Sequence, residues 1–148
     1  GAAVNRGGEL SAVRHAAIRV VGVHMHAWGL LPEGVDVGTT RETGHGQYHR
    51  SWRVHGTSHR LGLDVHDCAL ERREEYMGAD LAPGMILTVE PGLYFKADDL
   101  LVPTELRGIG VRIEDDVLVT TDGCENLSAA MPRTSTDVEA WIAGIQNG

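Results

Sequence analysis

The sequence predicts an α+β fold in which helices cover one face of a mixed or antiparallel sheet. Apolar residues recur close to three- and four-residue spacing, a pattern typical of a helix with one buried stripe. They are Leu10, Val13, Ala17, Val20, Val21, Trp28 and Leu31. Three stretches rich in β-branched or aromatic residues lie between positions 85 and 120, each bounded by Gly or Pro. A second helical pattern follows at residues 137–145. This order of helix, loop, strands and helix indicates a layer of helices packed on one sheet.

The boundaries of the elements follow from glycine, proline and capping residues. Pro32 pushes the residue before it out of the helical region, so the first helix should end near Leu31. Residues 32–51 have no clear period, which indicates a loop in which one short helical turn would fit. The last helix, Asp137–Ile145, follows Ser and Thr residues that can cap it. The expected strands are Met85–Val89, Leu93–Phe95 and Ile109–Thr120.

Composition and charge narrow the classes of protein to which the chain can belong. It has 148 residues and a formal net charge of -8 at pH 7 with scattered Lys and Arg, so no nucleic-acid partner is expected. No apolar run reaches the roughly 20 residues of a membrane span, and the first residues lack a secretory pattern. Cys68 and Cys124 lie far apart, which favours reduced thiols in a cytoplasmic protein. Because the chain does not begin with Met, we expect a piece of a longer protein.

Histidines are concentrated in one segment. Five of the eight fall between positions 45 and 66, and the densest run is HGTSHRLGLDVHD, from His55 to Asp67. Imidazole binds divalent transition metals and titrates near neutral pH, so this cluster suits a metal site or a proton-transfer site. A single histidine more often makes one hydrogen bond, which is the preferred interpretation for His45 and His49. The HExxH motif is absent, which excludes the helical zinc-protease arrangement.

Two apolar stretches each carry an acidic residue that needs a compensating charge. In VEPGLYF, Glu90 ends an apolar run, and burial of an ionised carboxylate without a partner is costly. In GIGVRIEDDVLVT, strand alternation puts Arg112 and Glu114 on one face, which an Arg–Glu pair at a sheet edge would explain equally well. Together with a histidine, the two carboxylates form a nitrogen and oxygen ligand set that suits Mn, Co, Fe or Zn. Their shared task would be to activate water.

The segments HGTSHRLGLDVHD, LAPGMILTVEPGLYF and RGIGVRIEDDVLVT resemble the carboxy-terminal catalytic half of Xaa-Pro aminopeptidases, also called aminopeptidase P. The resemblance covers about residues 1–133, and the stretch GCENLSAAMPR is more similar to aminopeptidase P than to prolidase. It implies an α/β (α+β) pita-bread fold of which residues 1–148 form only the carboxy-terminal part. The implied activity is hydrolysis of the amino-terminal Xaa-Pro bond by a metal-bridging hydroxide, on peptides with proline at the second position.

The resemblance also implies a role for the residues of the motifs. His59 and Glu90 would bind one metal ion, and Glu114 would bridge two divalent ions, usually Mn(II) in this family. His55 and His66 would line the substrate pocket. His66 would contact the substrate carbonyl and steady the tetrahedral intermediate.

Arg112 matches the arginine beside the bridging glutamate, whereas two other features depart from the family pattern. The remaining metal ligands of the family are two aspartates of the first half, and no segment here matches their motif. This chain alone should therefore bind metal weakly and be inactive. Arg60 stands where relatives commonly carry an aromatic or apolar residue, which affects the S1-side pocket. Homo-oligomers are common in the family, so a homo-oligomer is one expected state.

Two other functions remain open at the level of sequence. A prolidase would share the fold but act on dipeptides, and cleavage of an Xaa-Pro-Xaa tripeptide would count against it. A pita-bread binding module without catalysis is the alternative from another class. The presence of His59, Glu90 and Glu114 argues against that module, because a buried acid is costly to retain without a function.

Overall fold

The computed structural model describes Val4 and residues 6–34, 48–67 and 73–147. Most of the loop predicted at 32–51, with His45, lies outside these residues, as does Cys68. The described end of the loop forms a 3-10 helix, Tyr48–Ser51, so the short helical turn expected there is present.

The first helix, α1 (Leu10–Ala27), is confirmed but ends one turn earlier than predicted. Gly29 has a φ of 71°, in the left-handed region that favours glycine. The amide of Leu30 donates to the carbonyl of Met25, and the amide of Gly29 donates to that of His26, both at 3.0 Å. This pair of hydrogen bonds is a Schellman motif, which satisfies the last carbonyls of the helix. Gly29, rather than Pro32, therefore ends α1.

Among the described residues, six short strands follow α1, and every pairing between them is antiparallel. Four of them form one sheet in the order β1-β2-β5-β6, and β3 and β4 form a separate pair. The antiparallel alternative of the predicted sheet is therefore the one that the structure adopts. The strands are β1 (Arg60–Leu61), β2 (Ile86–Val89), β3 (Gly92–Tyr94), β4 (Gly110–Arg112), β5 (Asp115–Val119) and β6 (Cys124–Asn126).

The single strand predicted at Ile109–Thr120 is wrong, because this stretch divides into β4 and β5. Val89 pairs with Asp115 in one ladder and Gly92 pairs with Arg112 in the other, so both ladders keep one register. In that register Glu90 falls opposite Glu114. Proline cannot donate a ladder hydrogen bond, so Pro91 interrupts the pairing at this level. Two like charges placed directly opposite each other also destabilise a ladder.

Two hydrophobic clusters lie along α1. The first joins the start of the helix to β2 and β5 through Leu10, Val13, Leu87, Val117 and Val119, together with Val4 and Leu81. The second joins its end to the region around β3 through Val21, Met25, Leu30, Leu31, Trp52, Phe95 and Val102. Of the predicted stripe, Leu10, Val13, Val21 and Leu31 are buried, but Val20 and Trp28 are exposed. Ile18 and Met25, which were not part of it, are buried instead. Because one helix contacts both clusters, it fixes the four-stranded sheet relative to the β3–β4 pair.

Two further helices complete the described part of the chain. The short α2 (Arg73–Gly78) packs against α1. The final α3 (Ser135–Gln146) begins two residues earlier than predicted, and it is capped as expected by a hydroxyl, because that of Thr134 accepts from the amide of Asp137 at 3.2 Å. Its apolar residues remain exposed, among them Trp141 and Ile145. Within the described residues, no helix combines the length and apolarity that a bilayer crossing requires.

Candidate metal centre

The break between the two ladders gathers three side chains that can ligate a metal. His59, Glu90 and Glu114 each offer one ligand atom, and these atoms lie within 4.8 Å of one another. Glu90 directly follows β2, Glu114 directly precedes β5, and His59 directly precedes β1, which pairs with β2. The three residues thus come from the same end of three neighbouring strands. The sequence had singled out the same three as a ligand set.

The ring of His59 is held in an orientation that leaves one nitrogen available. Its Nδ1 lies 3.2 Å from the carbonyl of Arg60, and because a carbonyl can only accept, the proton must be on Nδ1. Nε2 then points its lone pair at Oε1 of Glu90, 3.1 Å away. Two acceptor atoms at this distance repel each other unless a proton or a cation lies between them. A divalent ion bound by one imidazole and two carboxylates fits this donor set.

Glu90 is buried, with 7% of its surface exposed, and it is held by Thr88 of β2 and by Thr57, which precedes β1. The hydroxyl of Thr88 donates to Oε1 of Glu90 at 3.1 Å. The backbone amide of Glu90 donates to the carbonyl of Thr57 at 2.7 Å. These contacts orient the carboxylate, but they do not neutralise its charge, which needs a cationic partner.

Arg112 supplies part of the positive charge that Glu90 needs, and it contacts both Glu90 and Glu114. Its Nη1 lies 3.3 Å from Oε2 of Glu90, and its Nη2 lies 3.0 Å from Oε2 of Glu114. The sequence left open a plain Arg–Glu pair at this position, and the structure shows that this pair is present. It also shows that one guanidinium serves two carboxylates, so the cluster without a further cation keeps a net negative charge. The ion pair and a metal site are therefore compatible.

The two remaining histidines predicted as site residues flank the ligand set. The ring of His66 packs edge-on against that of His59, with 4.4 Å between the centroids. His55 contacts the carbonyl of Gly56 through Nδ1, so its Nε2 accepts a hydrogen bond from the hydroxyl of Tyr94 at 2.8 Å. Nδ1 of His55 is 3.9 Å from Oε2 of Glu90. The structure thus brings all six predicted site residues into one place.

Two cavities share the wall formed by this histidine segment. One, of about 420 Å³, is lined by His55, Gly56, Ser58, His59, His66, Glu90 and Arg112. The other, of about 590 Å³, extends from His55, His59 and His66 towards α1 and α2, and is also lined by Arg14, Arg50 and Arg53. The smaller cavity is large enough for part of a peptide beside the ligand atoms.

Arg53 is a buried cation that lies behind the ligand set. It is 7% exposed and donates through Nη1 to the hydroxyl of Thr57, the residue whose carbonyl accepts from Glu90. Burial, followed by the nearby charges of Arg14 and Arg50, lowers the pKa of Arg53 to about 10. The folded chain therefore disfavours the charged form of this side chain.

Arg60, which departs from the family pattern, is also buried. Its guanidinium lies over the ring of Tyr76 at 4.9 Å from the centroid, and its amide donates to the Tyr76 hydroxyl at 2.7 Å. An aromatic or apolar side chain at this position would also pack on that ring. Arg60 therefore packs against Tyr76 of α2, as an aromatic or apolar residue at this position would.

Sequence reasoning missed Thr88, Tyr94 and Arg53 as neighbours of the site. Thr88 could have been found, because it lies two residues before Glu90 and side chains alternate along a strand. Tyr94 carries a weaker signal in Gly92, where an added Cβ would lie 2.8 Å from the Tyr94 hydroxyl and 2.9 Å from Nε2 of His55. No pattern in the sequence indicates that Arg53 is buried.

Comparison with known proteins identifies the chain. The family model for metallopeptidase family M24 matches residues 2–121, more than half of the sequence. The chain belongs to this family. Xaa-Pro aminopeptidase 1 of Streptomyces coelicolor is 52% identical to the M24 chain over 145 residues, which is 98% of this chain and 28% of that protein. Xaa-Pro aminopeptidase of Escherichia coli is 46% identical over 118 residues, 80% of this chain and 26% of that protein.

Solved structures show the same fold. Aminopeptidase PepP of Pseudomonas aeruginosa superposes with a TM-score of 0.83 at 37% identity, over 99% of the M24 chain and 32% of its own. Aminopeptidase P of Escherichia coli with the inhibitor Pro-Leu gives 0.80 at 37% identity, over 97% and 31%. Its zinc-substituted form in complex with product gives 0.79 at 38% identity, over 95% and 30%. These matches confirm the predicted pita-bread fold, and the chain spans less than a third of each relative.

Proposed function

We propose that this M24 chain is the carboxy-terminal part of the catalytic domain of a metal-dependent aminopeptidase that hydrolyses the amino-terminal Xaa-Pro bond. The observation that carries the proposal is the convergence of His59, Glu90 and Glu114, whose ligand atoms lie within 4.8 Å of one another. The similarity to proteins named Xaa-Pro aminopeptidase indicates the substrate class, a peptide with proline at its second position.

His59, Glu90 and Glu114 are the proposed metal ligands of this chain. Nε2 of His59 and the two carboxylates would hold two divalent ions, most simply Mn(II), with Glu114 contacting both. Such ions, when bound, supply an activated water and polarise the scissile carbonyl. Two aspartates that this chain does not contain would complete the set, so the chain alone should hold metal weakly.

The other site residues would act on the substrate and on the ligands. Arg112 holds the carboxylates of Glu90 and Glu114 beside each other by bonding one guanidinium nitrogen to each. His66 lies against His59 at the edge of the smaller cavity, where its ring can donate to a substrate carbonyl and to the tetrahedral oxygen that develops there. His55 is held by Tyr94 and faces the same space, which suits it to position the peptide.

The cellular context is part of the proposal. The low cysteine content, with Cys68 and Cys124 far apart in sequence, favours a cytoplasmic protein. A homo-oligomer is the proposed state of the full-length protein, on the basis of the family resemblance. Size-exclusion chromatography with light scattering would test that state directly.

The central experiment measures bound metal and Xaa-Pro-Xaa hydrolysis, with Mn(II) added, on this chain and on the full-length gene product. We expect the full-length protein to hold two ions and to cleave the tripeptide, and this chain to do neither well. Cleavage of Xaa-Pro dipeptides but not of tripeptides would indicate a prolidase instead. A full-length protein that binds peptide without metal and without cleavage would be a binding module.

Two substitutions in the full-length protein separate ligands from pocket residues. Glu114→Gln removes the charge of a carboxylate that would contact both ions, so metal content should fall from two ions to one or none. His55→Ala removes a ring that is not a proposed ligand, so metal content should remain close to that of the parent while hydrolysis slows. Equal metal content in the two variants would contradict the assignment of Glu114.

A further inference from the structure

The start of β5 is held by a contact that lies outside the proposed ligand set. Asp115 is the first residue of β5 and pairs with Val89, the last residue of β2. Glu114 directly precedes Asp115, and Glu90 directly follows Val89. This residue pair is therefore the last one in the four-stranded sheet before the two carboxylates. Whatever holds Asp115 in place also sets the separation of Glu90 and Glu114.

Arg133, in the turn before α3, holds Asp115. Nε and Nη2 both donate to Oδ1 of Asp115. The remaining N–H groups reach three backbone carbonyls: Nη2 donates to Ser128 at 2.8 Å, and Nη1 donates to Ala129 and Met131 at 3.1 Å each. Since a guanidinium carries five N–H donors, all of its donors are used. Such saturation fixes both the side chain and the turn that it spans.

The same turn is fastened to β5 by Ser128. Its hydroxyl lies 2.9 Å from Oδ1 of Asp115 and accepts from the amide of Asp116 at 3.0 Å. The amide of Leu127 donates to the carbonyl of Asp116 at 2.8 Å. Arg133 and Ser128 thus tie the two first residues of β5 to one loop.

The charge of Arg133 matters as well as its hydrogen bonds. The Arg133 guanidinium lies against the carboxylate of Asp115 and supplies the opposite charge. Without Arg133, Asp115 would add an uncompensated carboxylate directly beside Glu114. It would then be free to compete for Arg112 or to move away from the site.

We propose that Arg133 is a positioning residue for the metal centre: by clamping Asp115 it fixes Glu114 opposite Glu90 and so sets the affinity for divalent ions. The inference rests on the proposed function only in so far as the carboxylates bind metal. Groups that orient metal ligands from behind typically contribute about 10- to 100-fold to metal affinity. We therefore expect Arg133→Gln to weaken Mn(II) binding by about tenfold.

The test uses the full-length protein and measures Mn(II) affinity by calorimetry, the absorption spectrum of the Co(II) form and the thermal midpoint. The matched control is Arg107→Gln, which removes a half-buried arginine that donates to the carbonyl of Val102 at 2.9 Å, in the loop between β3 and β4. We expect both variants to lower the thermal midpoint. Only Arg133→Gln should weaken Mn(II) binding and alter the Co(II) spectrum, which reports ligand geometry.

A milder variant covers the case in which Arg133→Gln does not fold. Ser128→Ala removes one hydrogen bond to Asp115 and should weaken Mn(II) binding in the same direction, by about threefold. Affinity within twofold of the parent in the variants that fold, or an equal loss in Arg107→Gln, overturns the role of Arg133. A parent that binds no metal overturns this inference and the proposed function together. A parent that binds metal but cleaves no Xaa-Pro peptide contradicts only the function.

Discussion

The strands β4 and β5 come from one apolar stretch, yet their valines have opposite surroundings. Val119 in β5 is 1% exposed and packs in the cluster below α1, whereas Val111 in β4 is 57% exposed. Ile109 and Ile113 on either side of β4 are exposed as well. The alternation of apolar residues shows that a face can be buried. It does not show that the described residues supply a partner for that face.

The largest expected effect comes from shortening the two valines, Val119 in β5 and Val111 in β4. Val119→Ala should lower the free energy of unfolding by about 2 kcal/mol, because it removes buried methyl groups and leaves a cavity. Val111→Ala is the matched control, and it should cost less than about 0.5 kcal/mol. Urea denaturation of both variants measures the difference. Equal losses would mean that the face of β4 is buried in solution.

The second prediction concerns β3, the strand that pairs with β4. A Cβ at Gly92 would lie within 3.0 Å of both Tyr94 and His55, so Gly92→Ala must displace at least one of the two rings. The expected cost is about 1.5 kcal/mol, and in the full-length protein the proposed Xaa-Pro hydrolysis should fall with it. Gly123→Ala, where nothing lies within 4 Å of the new Cβ, is the control. Unchanged stability and activity in Gly92→Ala would show that the β3–β4 pair adapts freely.

A third prediction concerns the buried charge of Arg53. The lowered pKa of Arg53 means that the folded state holds this proton less tightly than the unfolded state does. The charged side chain therefore destabilises the fold at neutral pH, and the cost disappears as the pH rises above about 10. Arg53→Met should raise the free energy of unfolding by about 1 kcal/mol at pH 7, since the lost hydrogen bond to Thr57 offsets part of the gain. A lower thermal midpoint in Arg53→Met would contradict it.

The smallest effect concerns the hydrogen bond between Trp52 and Asp99 at low pH. Hydrogen bonds from the amide of Leu101 and the indole of Trp52 hold the pKa of Asp99 below its ordinary value of 3.8. A carboxylate whose pKa is lowered in the folded state stabilises the fold above its ordinary pKa of 3.8. This stabilisation is lost as the pH falls through the lower pKa of the folded state. Because Trp52 packs on Phe95 just after β3, its fluorescence should change below pH 3.8. Asp99→Asn should abolish that step, and a step that persists would belong to another group.

Much of the site was predictable from the sequence because its residues lie at the ends of short, strongly patterned segments. Glu90 and Glu114 adjoin apolar strands, and strand type is a local property that β-branched residues reveal. His59 precedes β1 (Arg60–Leu61), which has no β-branched residue, and it was assigned by the family resemblance of its motif. The division of Ile109–Thr120 was not predictable from its own residues, because it depends on Pro91 in the opposing strand. The early end of α1 had a local signal in Gly29, which the emphasis on Pro32 obscured.

Contacts between distant residues account for what the sequence could not predict. Arg133 bonds to Asp115, 18 residues earlier in the chain, and Arg53 is buried close to the charge of Arg14 in α1. Neither residue has a periodic pattern, because each side chain is placed by a turn and not by a repeating element. The exposure of the apolar stripe of α3 was also not predictable from the sequence. The spacing of its residues predicts a helix, but it does not predict whether other residues pack against that helix.

The common register of the β2–β5 and β3–β4 ladders restricts how related chains can differ in length. Side chains alternate between faces along a strand, so one residue added between Val89 and Gly92 would send every later side chain of β3 to the opposite face. If it were added directly before Glu90, it would also take that carboxylate out of line with Glu114. Additions are tolerated only in pairs, or in the connection at 96–109, where no ladder has to be preserved. We expect homologous chains to vary in that connection while the segment from Val89 to Gly92 keeps its length.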